Sequence, residues 1–202
     1  MRNVLILGAN GQLAQNTIPF FLERTDTRLT LYLRRAKRLK NPDSSRVNVV
    51  EGDVLDSSSL TAAMQGQDVV YANLAGADMA AQAQRIIDAM HTTGVRRLIF
   101  VSSMGIYGEV PGQQYRSILD PYRDSASVIE RSDLDYTILR PGWFTRGPEG
   151  PYRITFAGEP FIGHDIAIDS LSALIVETAT TPNVFLRKSI GISDDKVAGR
   201  EL

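Results

Sequence analysis

Short apolar runs alternate with longer stretches of mixed polarity along most of the chain. Val4-Leu5-Ile6-Leu7 is apolar at every position, as a parallel strand covered on both faces requires. Leu29–Leu33, Val47–Val50, Asp68–Asn73, Leu98–Ser102 and Tyr136–Leu139 repeat the pattern and predict the second to sixth strands. Between them, helices are predicted from Gly11 to about Arg24, from Ser57 to Met64, from Asp78 to about Thr93 and from Asp120 to about Arg131. Asp78 and Asp120 are read as N-caps, Pro121 as the first helical residue and Gly94 as a stop. Pro19 predicts a kink or a short first segment. From Arg140-Pro141-Gly142 to about Asp165 the chain is rich in Gly and Pro, with β-like pieces around Ile154 and Phe161. A last helix from Asp169 to about Thr180 and a last strand within Val184–Ile192 complete the reading. This rhythm predicts an α/β fold: a doubly wound, mostly parallel sheet, helices on both faces and a small C-terminal substrate region. No repeat or linker interrupts it, so residues 1–202 are expected to form one domain.

Composition narrows the function. The net charge of −1 supplies no global field for nucleic acid or for an anionic membrane surface. There is no cysteine, which excludes disulfides and thiol chemistry. The first apolar run has four residues before Gly8, too short for a signal peptide, and no stretch approaches the roughly 18 apolar residues of a membrane span. A cytoplasmic protein is expected, with no nucleic-acid or membrane partner.

The first strand runs directly into Gly8-Ala9-Asn10-Gly11-Gln12-Leu13-Ala14. In this Gly-x-x-Gly-x-x-Ala spacing, Gly8 lets the chain turn off the strand, Gly11 leaves room for a pyrophosphate, and Ala14 lets the helix pack on the sheet. The helix start, at Asn10, Gly11, Gln12 and Leu13, would offer N–H groups and a positive dipole end to phosphates. A Rossmann-type dinucleotide site is the expectation. Twenty positions beyond Ala14, where an acidic residue would bond a ribose 2′-hydroxyl, the chain has Arg34, followed by Arg35, Lys37, Arg38 and Lys40. A guanidinium can hold a 2′-phosphate that a carboxylate would repel, so NADP(H) is expected over NAD(H), with Arg34 and Arg35 as the clamp. The alternative is a solvated basic loop. Asp53, with Val54, follows the third strand and is either an acceptor for the adenine amino group or a turn or cap residue. Asn73-Leu74-Ala75 follows the fourth strand, where small residues let backbone lie against a ribose or simply make a tight turn.

Gly8-x-x-Gly11-x-x-Ala14, Asp53-Val54, Asn73-Leu74-Ala75-Gly76, Val101-Ser102-Ser103 and Tyr136-Thr137-Ile138-Leu139-Arg140-Pro141-Gly142, in that order, resemble the short-chain dehydrogenase/reductase superfamily. The last segment resembles its atypical branch, the NmrA-like and NAD(P)H-binding proteins also described as epimerase/dehydratase-like. The resemblance implies hydride transfer at a nicotinamide, with Ser102 and Pro141-Gly142-Trp143 bordering the cofactor. It implies a serine that holds the substrate oxygen, and Ser103 matches best; the other reading is a strand-end serine bonded to backbone. It also implies a tyrosine with a lysine four residues later. Tyr122 is best placed, but its fourth neighbour is Ala126, and Arg116 and Arg123 lie off the motif position. A phenol with no cation beside it exchanges protons poorly at neutral pH, so Tyr122 is either a proton donor or a packing residue.

Trp143, the only tryptophan, is either an aromatic wall for a flat substrate or a core residue. His91 and His164 have no partners at metal-ligand spacing and read as structural or surface residues; no metal site is expected. Three functions are left. The first is an NADPH-dependent reductase of a small aromatic, quinone-like or flavin-like acceptor. The second is a non-catalytic NADP(H)-sensing module that contacts a regulatory protein partner. The third is a sugar-nucleotide epimerase or dehydratase, which the short C-terminal region and the missing Tyr-x-x-x-Lys oppose.

Overall fold

Val4 to Leu7 are fully buried, and their side chains alternate between two separate cores. That is the expected fate of a strand with no polar face. The structure, a computed structural model, describes residues 1–39 and 45–194. Strand β1 (Asn3–Leu7) leads into helix α1 (Gln12–Arg24), then β2 (Arg28–Leu33), β3 (Val47–Glu51), α2 (Ser57–Met64), β4 (Val69–Ala72), α3 (Met79–Thr93) and β5 (Arg97–Val101). Helix α4 (Asp120–Glu130), β6 (Asp135–Pro141), β7 (Trp143–Thr145), β8 (Tyr152–Phe156), β9 (Asp165–Ala167), α5 (Ile168–Thr180) and β10 (Lys188–Asp194) follow.

The main sheet has the order β3-β2-β1-β4-β5-β6-β10-β8, parallel except for β8, which pairs antiparallel with β10. This is the doubly wound Rossmann order extended by two strands. Val4 and Ile6 join the core beneath α1 and α5, while Leu5 and Leu7 join the core beneath α2, α3 and α4. Among the described residues, no helix is long and apolar enough to cross a membrane.

Local chemistry explains most boundaries. Gly94 stops α3 in the left-handed conformation, φ 77°. Helix α1 runs unbroken through Pro19, held by the buried face Leu13, Ala14, Thr17, Ile18 and Phe21, so the expected short first segment does not form. Asp78 stands at the N-cap of α3, yet its carboxylate accepts from the Gln82 side chain (2.8 Å) rather than from backbone. Helix α4 begins at Asp120, making Leu119 the cap. The piece around Ile154 is β8, the antiparallel edge strand. Phe161 is buried in a loop, where its N–H donates to the Glu109 carbonyl (2.8 Å). The unforeseen pieces are β7 and β9, which pair in parallel as a separate two-stranded sheet.

Candidate functional site

Strand β1 has β2 on one side and β4 on the other, so the strand order reverses at its carboxyl end and opens a crevice there. The loops after β1, β2, β3 and β4 surround a cleft of about 490 Å³. Gly8, Asn10, Gly11, Arg34, Arg35, Asp53, Val54, Asn73, Leu74 and Ala75 all line it. Gln12 and Leu13 begin α1 beside it, Gln12 exposed and Leu13 buried in the core.

Gly8 leaves β1 with φ +78°, and its N–H donates to the Tyr32 carbonyl (3.0 Å). A Cβ on Gly8 would overlap the Asn73 carbonyl oxygen, and one on Gly11 would strike the Asn73 side-chain amide. Both glycines therefore serve the packing of the loop against Asn73 as well as any ligand. Helix α1 has no side-chain cap and no acidic residue in its first turn, so its terminal N–H groups and positive dipole end face the cleft uncompensated. These features fit a dinucleotide pyrophosphate.

Arg34 and Arg35 are exposed at the cleft rim and make no ion pair among the described residues. The turn that carries them is held by Glu51, whose carboxylate accepts from the Ala36 N–H (2.8 Å). Lys37 is exposed beyond them, while Lys40 of the same basic run lies outside the described residues. At the third strand, Asp53 makes a turn, with Oδ1 accepting from the Leu55 N–H (2.9 Å). The cap of α2 is Asp56, which accepts from the Ser58 and Ser59 N–H groups; bonds to Ser58 and Ser59 lower its carboxyl pKa.

Tyr32 is a cleft residue that sequence reasoning missed. Its hydroxyl donates to the Asp53 carbonyl (2.9 Å) and pairs with Ser59 Oγ (2.7 Å), the phenol end lies so close to Gly52 that a Cβ there would overlap it, and burial raises its pKa. The only hint was a β2 whose last positions are all apolar or aromatic.

Beyond the cleft, the carboxyl ends of β5 and β6 carry the remaining candidates. Ser102 is buried; its N–H donates to the Leu139 carbonyl (2.7 Å) and its hydroxyl lies 3.4 Å from the Tyr122 carbonyl oxygen. Ser103 is half-buried and donates to the Met104 carbonyl (3.1 Å). Tyr122 packs half-buried against the α3/α4 core, and its phenol has no partner among the described residues. Arg123 is committed to Asp120 (3.1 Å) and Asp124 (2.8 Å).

The loop after β5 is built around one buried ion pair. Arg140, fully buried on β6, pairs with Glu109, whose side chain is 6% exposed. Glu109 also accepts from the Gly105 (3.1 Å) and Tyr107 (2.9 Å) N–H groups. Arg140 Nε donates to Ser189 Oγ (3.1 Å), and its guanidinium lies 5.0 Å over the Tyr107 ring. The Tyr107 hydroxyl bonds Glu130 and Ser189, and burial, reinforced by Glu130, raises its pKa, so this phenol is committed to structure. The network leaves Met104 N–H on the Pro141 carbonyl (3.2 Å) and Gly142 N–H on the Ile192 carbonyl (2.9 Å).

Pro141 and Gly142 are buried, whereas Trp143 is 60% exposed. The core reading of Trp143 is thereby excluded. Its ring stacks on His164 with centroids 6.4 Å apart and an interplanar angle of 26°. The phosphate-loop cleft and Trp143 lie on the same carboxyl edge of the sheet.

A family model described as NAD(P)H-binding matches residues 8–182. A Rossmann-fold NAD(P)-binding family protein from Shigella flexneri is 39% identical, with a TM-score of 0.87 over 100% of this chain and 98% of that one. A short-chain dehydrogenase/reductase from Veillonella parvula, solved in complex with NADP, is 28% identical, with a TM-score of 0.87 over 97% of this chain and 96% of that one. A Bacillus subtilis protein described as an uncharacterized sugar epimerase is 25% identical over 203 residues, 90% of this chain and 92% of that one.

Proposed function

The chain belongs to the NAD(P)H-binding family, and on that premise we propose that it is an NADP(H)-dependent reductase of a planar aromatic or quinone-like acceptor. The carrying observation is the layout of the carboxyl edge. Arg34 and Arg35, which make no ion pair among the described residues, stand beside a bare helix terminus at one end, and the exposed Trp143 stands beside buried Pro141-Gly142 at the other. Bound there, the reduced nicotinamide supplies the hydride, and the protein orients it. In this reading Arg34 and Arg35 hold the 2′-phosphate, while Gly8 and Gly11 with the first turn of α1 hold the pyrophosphate. The Asp53-Val54 segment, held by Tyr32, borders the adenine. Trp143 forms the wall on which a flat acceptor stacks, as aromatic rings do with an offset geometry.

The test is NADPH oxidation across a panel of quinones and flavins. Trp143→Ala is expected to lower kcat/KM about 10-fold, the order of one aromatic contact, with NADPH affinity unchanged. Unchanged turnover contradicts the wall. The missing lysine after Tyr122 favours a second reading, a non-catalytic NADP(H)-sensing module, which NADPH binding without turnover on any acceptor would support.

A further inference from the structure

The superfamily resemblance asks for a proton donor, and the position where it asks has none prepared. Tyr122 has no lysine on its helix and no partner on its phenol among the described residues. The other tyrosines of the loop after β5 are committed: Tyr107 is locked between Glu130 and Ser189, and the Tyr115 hydroxyl donates to Asp120 (2.7 Å). A two-electron reduction of a carbonyl or quinone nevertheless needs a proton as well as a hydride.

A titratable pair, His164 and Asp165, stands beside Trp143. The Trp143 N–H donates to the His164 carbonyl (2.9 Å), and Gly142 lies so close to that carbonyl that a Cβ would overlap it. The β7–β9 pairing, which sets Trp143 against Asp165, thus fixes the backbone of His164 beside Gly142 and Trp143. The imidazole stacks on the Trp143 ring. Its Nδ1 is 2.7 Å from Asp165 Oδ1, an arrangement that places a proton on Nδ1 and leaves Nε2 for other chemistry. Nε2 has no partner among the described residues, and the side chain is 52% exposed. The other histidine differs on both counts. His91 bonds Asp133 through Nε2 (2.7 Å) and sits at the opposite, amino edge of the sheet, near the end of α3.

Resting on the reductase reading, we propose that His164, oriented by Asp165, is the proton donor to the acceptor stacked on Trp143. His164 Nε2–H breaks and a new O–H bond forms on the acceptor oxygen, while the acceptor carbon takes the hydride from the reduced nicotinamide. The acceptor gains two electrons and two hydrogens, the nicotinamide loses the same two electrons, and the imidazole regains its proton from water. The donor is the imidazolium form of the ring; the Asp165 carboxylate accepts from Nδ1–H and holds the ring direction throughout, so it acts as a positioning residue.

Two readouts test this. In protein labelled with ¹⁵N-histidine, NADP⁺ is expected to shift the His164 ring resonances, and adenosine 2′,5′-bisphosphate, which lacks the nicotinamide, is expected to leave them in place; His91 responds to neither. With menadione as acceptor, His164→Gln is expected to lower kcat about 100-fold, the scale of general-acid catalysis, with the NADPH Kd within twofold of wild type. His91→Gln turns over as wild type does, and added imidazole restores part of the lost rate to His164→Ala. A His164 resonance indifferent to NADP⁺, or a kcat for His164→Gln within threefold of wild type, overturns the assignment while leaving the reductase reading intact. A wild-type protein that reduces none of the acceptors overturns both.

Discussion

Arg140→Met is expected to lower the free energy of unfolding by about 3–5 kcal/mol, measured by urea denaturation. The guanidinium is fully buried and its counterion Glu109 nearly so. Deleting the cation strands a carboxylate that also organises the Gly105 and Tyr107 N–H groups, and breaking a buried pair costs far more than the pair's net worth. In a protein of this size the change corresponds to a fall in Tm on the order of 10 °C. Glu109→Gln strands the opposite charge and is expected to cost nearly as much. The damage falls on the segment from Ser102 to Glu109, so hydrogen exchange there accelerates first. A loss below 1 kcal/mol in both variants would mean that the loop does not depend on the pair.

Gly8→Ala is expected to weaken NADPH binding by at least 100-fold, about 2.7 kcal/mol, in a fluorescence titration. Two effects add. An alanine at φ +78° carries roughly 1–2 kcal/mol of left-handed strain, and its Cβ cannot coexist with the Asn73 carbonyl oxygen, so the loop must move off β4. The moved loop takes the Gly11 N–H and the start of α1 with it, since Gly11 N–H is bonded to the Gly8 carbonyl (2.9 Å). Gly66→Ala is the control. Gly66 has the same kind of backbone, φ +71°, with open space around its Cβ, so strain alone should leave NADPH affinity unchanged. Equal binding by Gly8→Ala and wild type would contradict a role for this turn in holding the cofactor.

The fold was legible because its signals are local. A run with no polar residue, Val4 to Leu7, announces a central strand, and Gly94 announces the end of α3; both stand where the pattern put them. The loop from Gly8 to Ala14 was readable for the same reason, as strand, turn and helix are contiguous. What escaped reading depends on partners distant in sequence. Glu109 and Arg140 are 31 residues apart, and neither segment carries a mark that the other is its counterion. The pairing of β7 with β9 joins two three-residue strands too short to show a period, and it is this pairing that makes the exposed His164 a neighbour of Trp143. Tyr32 looked like one more apolar strand position until the fold brought Gly52 and Asp53 against its hydroxyl. The exposure of Trp143 follows from its position just past the last buried residues of β6, which composition does not record.

The most direct test of the central claim is a paired titration of NADPH and NADH against the wild type and against Arg34→Ala/Arg35→Ala. The account predicts that the wild type prefers NADPH, that the double variant loses at least about 30-fold in NADPH affinity, as expected for two charge-assisted contacts to one phosphate, and that NADH binding changes by less than about threefold. Equal affinity of the wild type for the two nucleotides, or an NADPH affinity that survives the loss of both arginines, would contradict it.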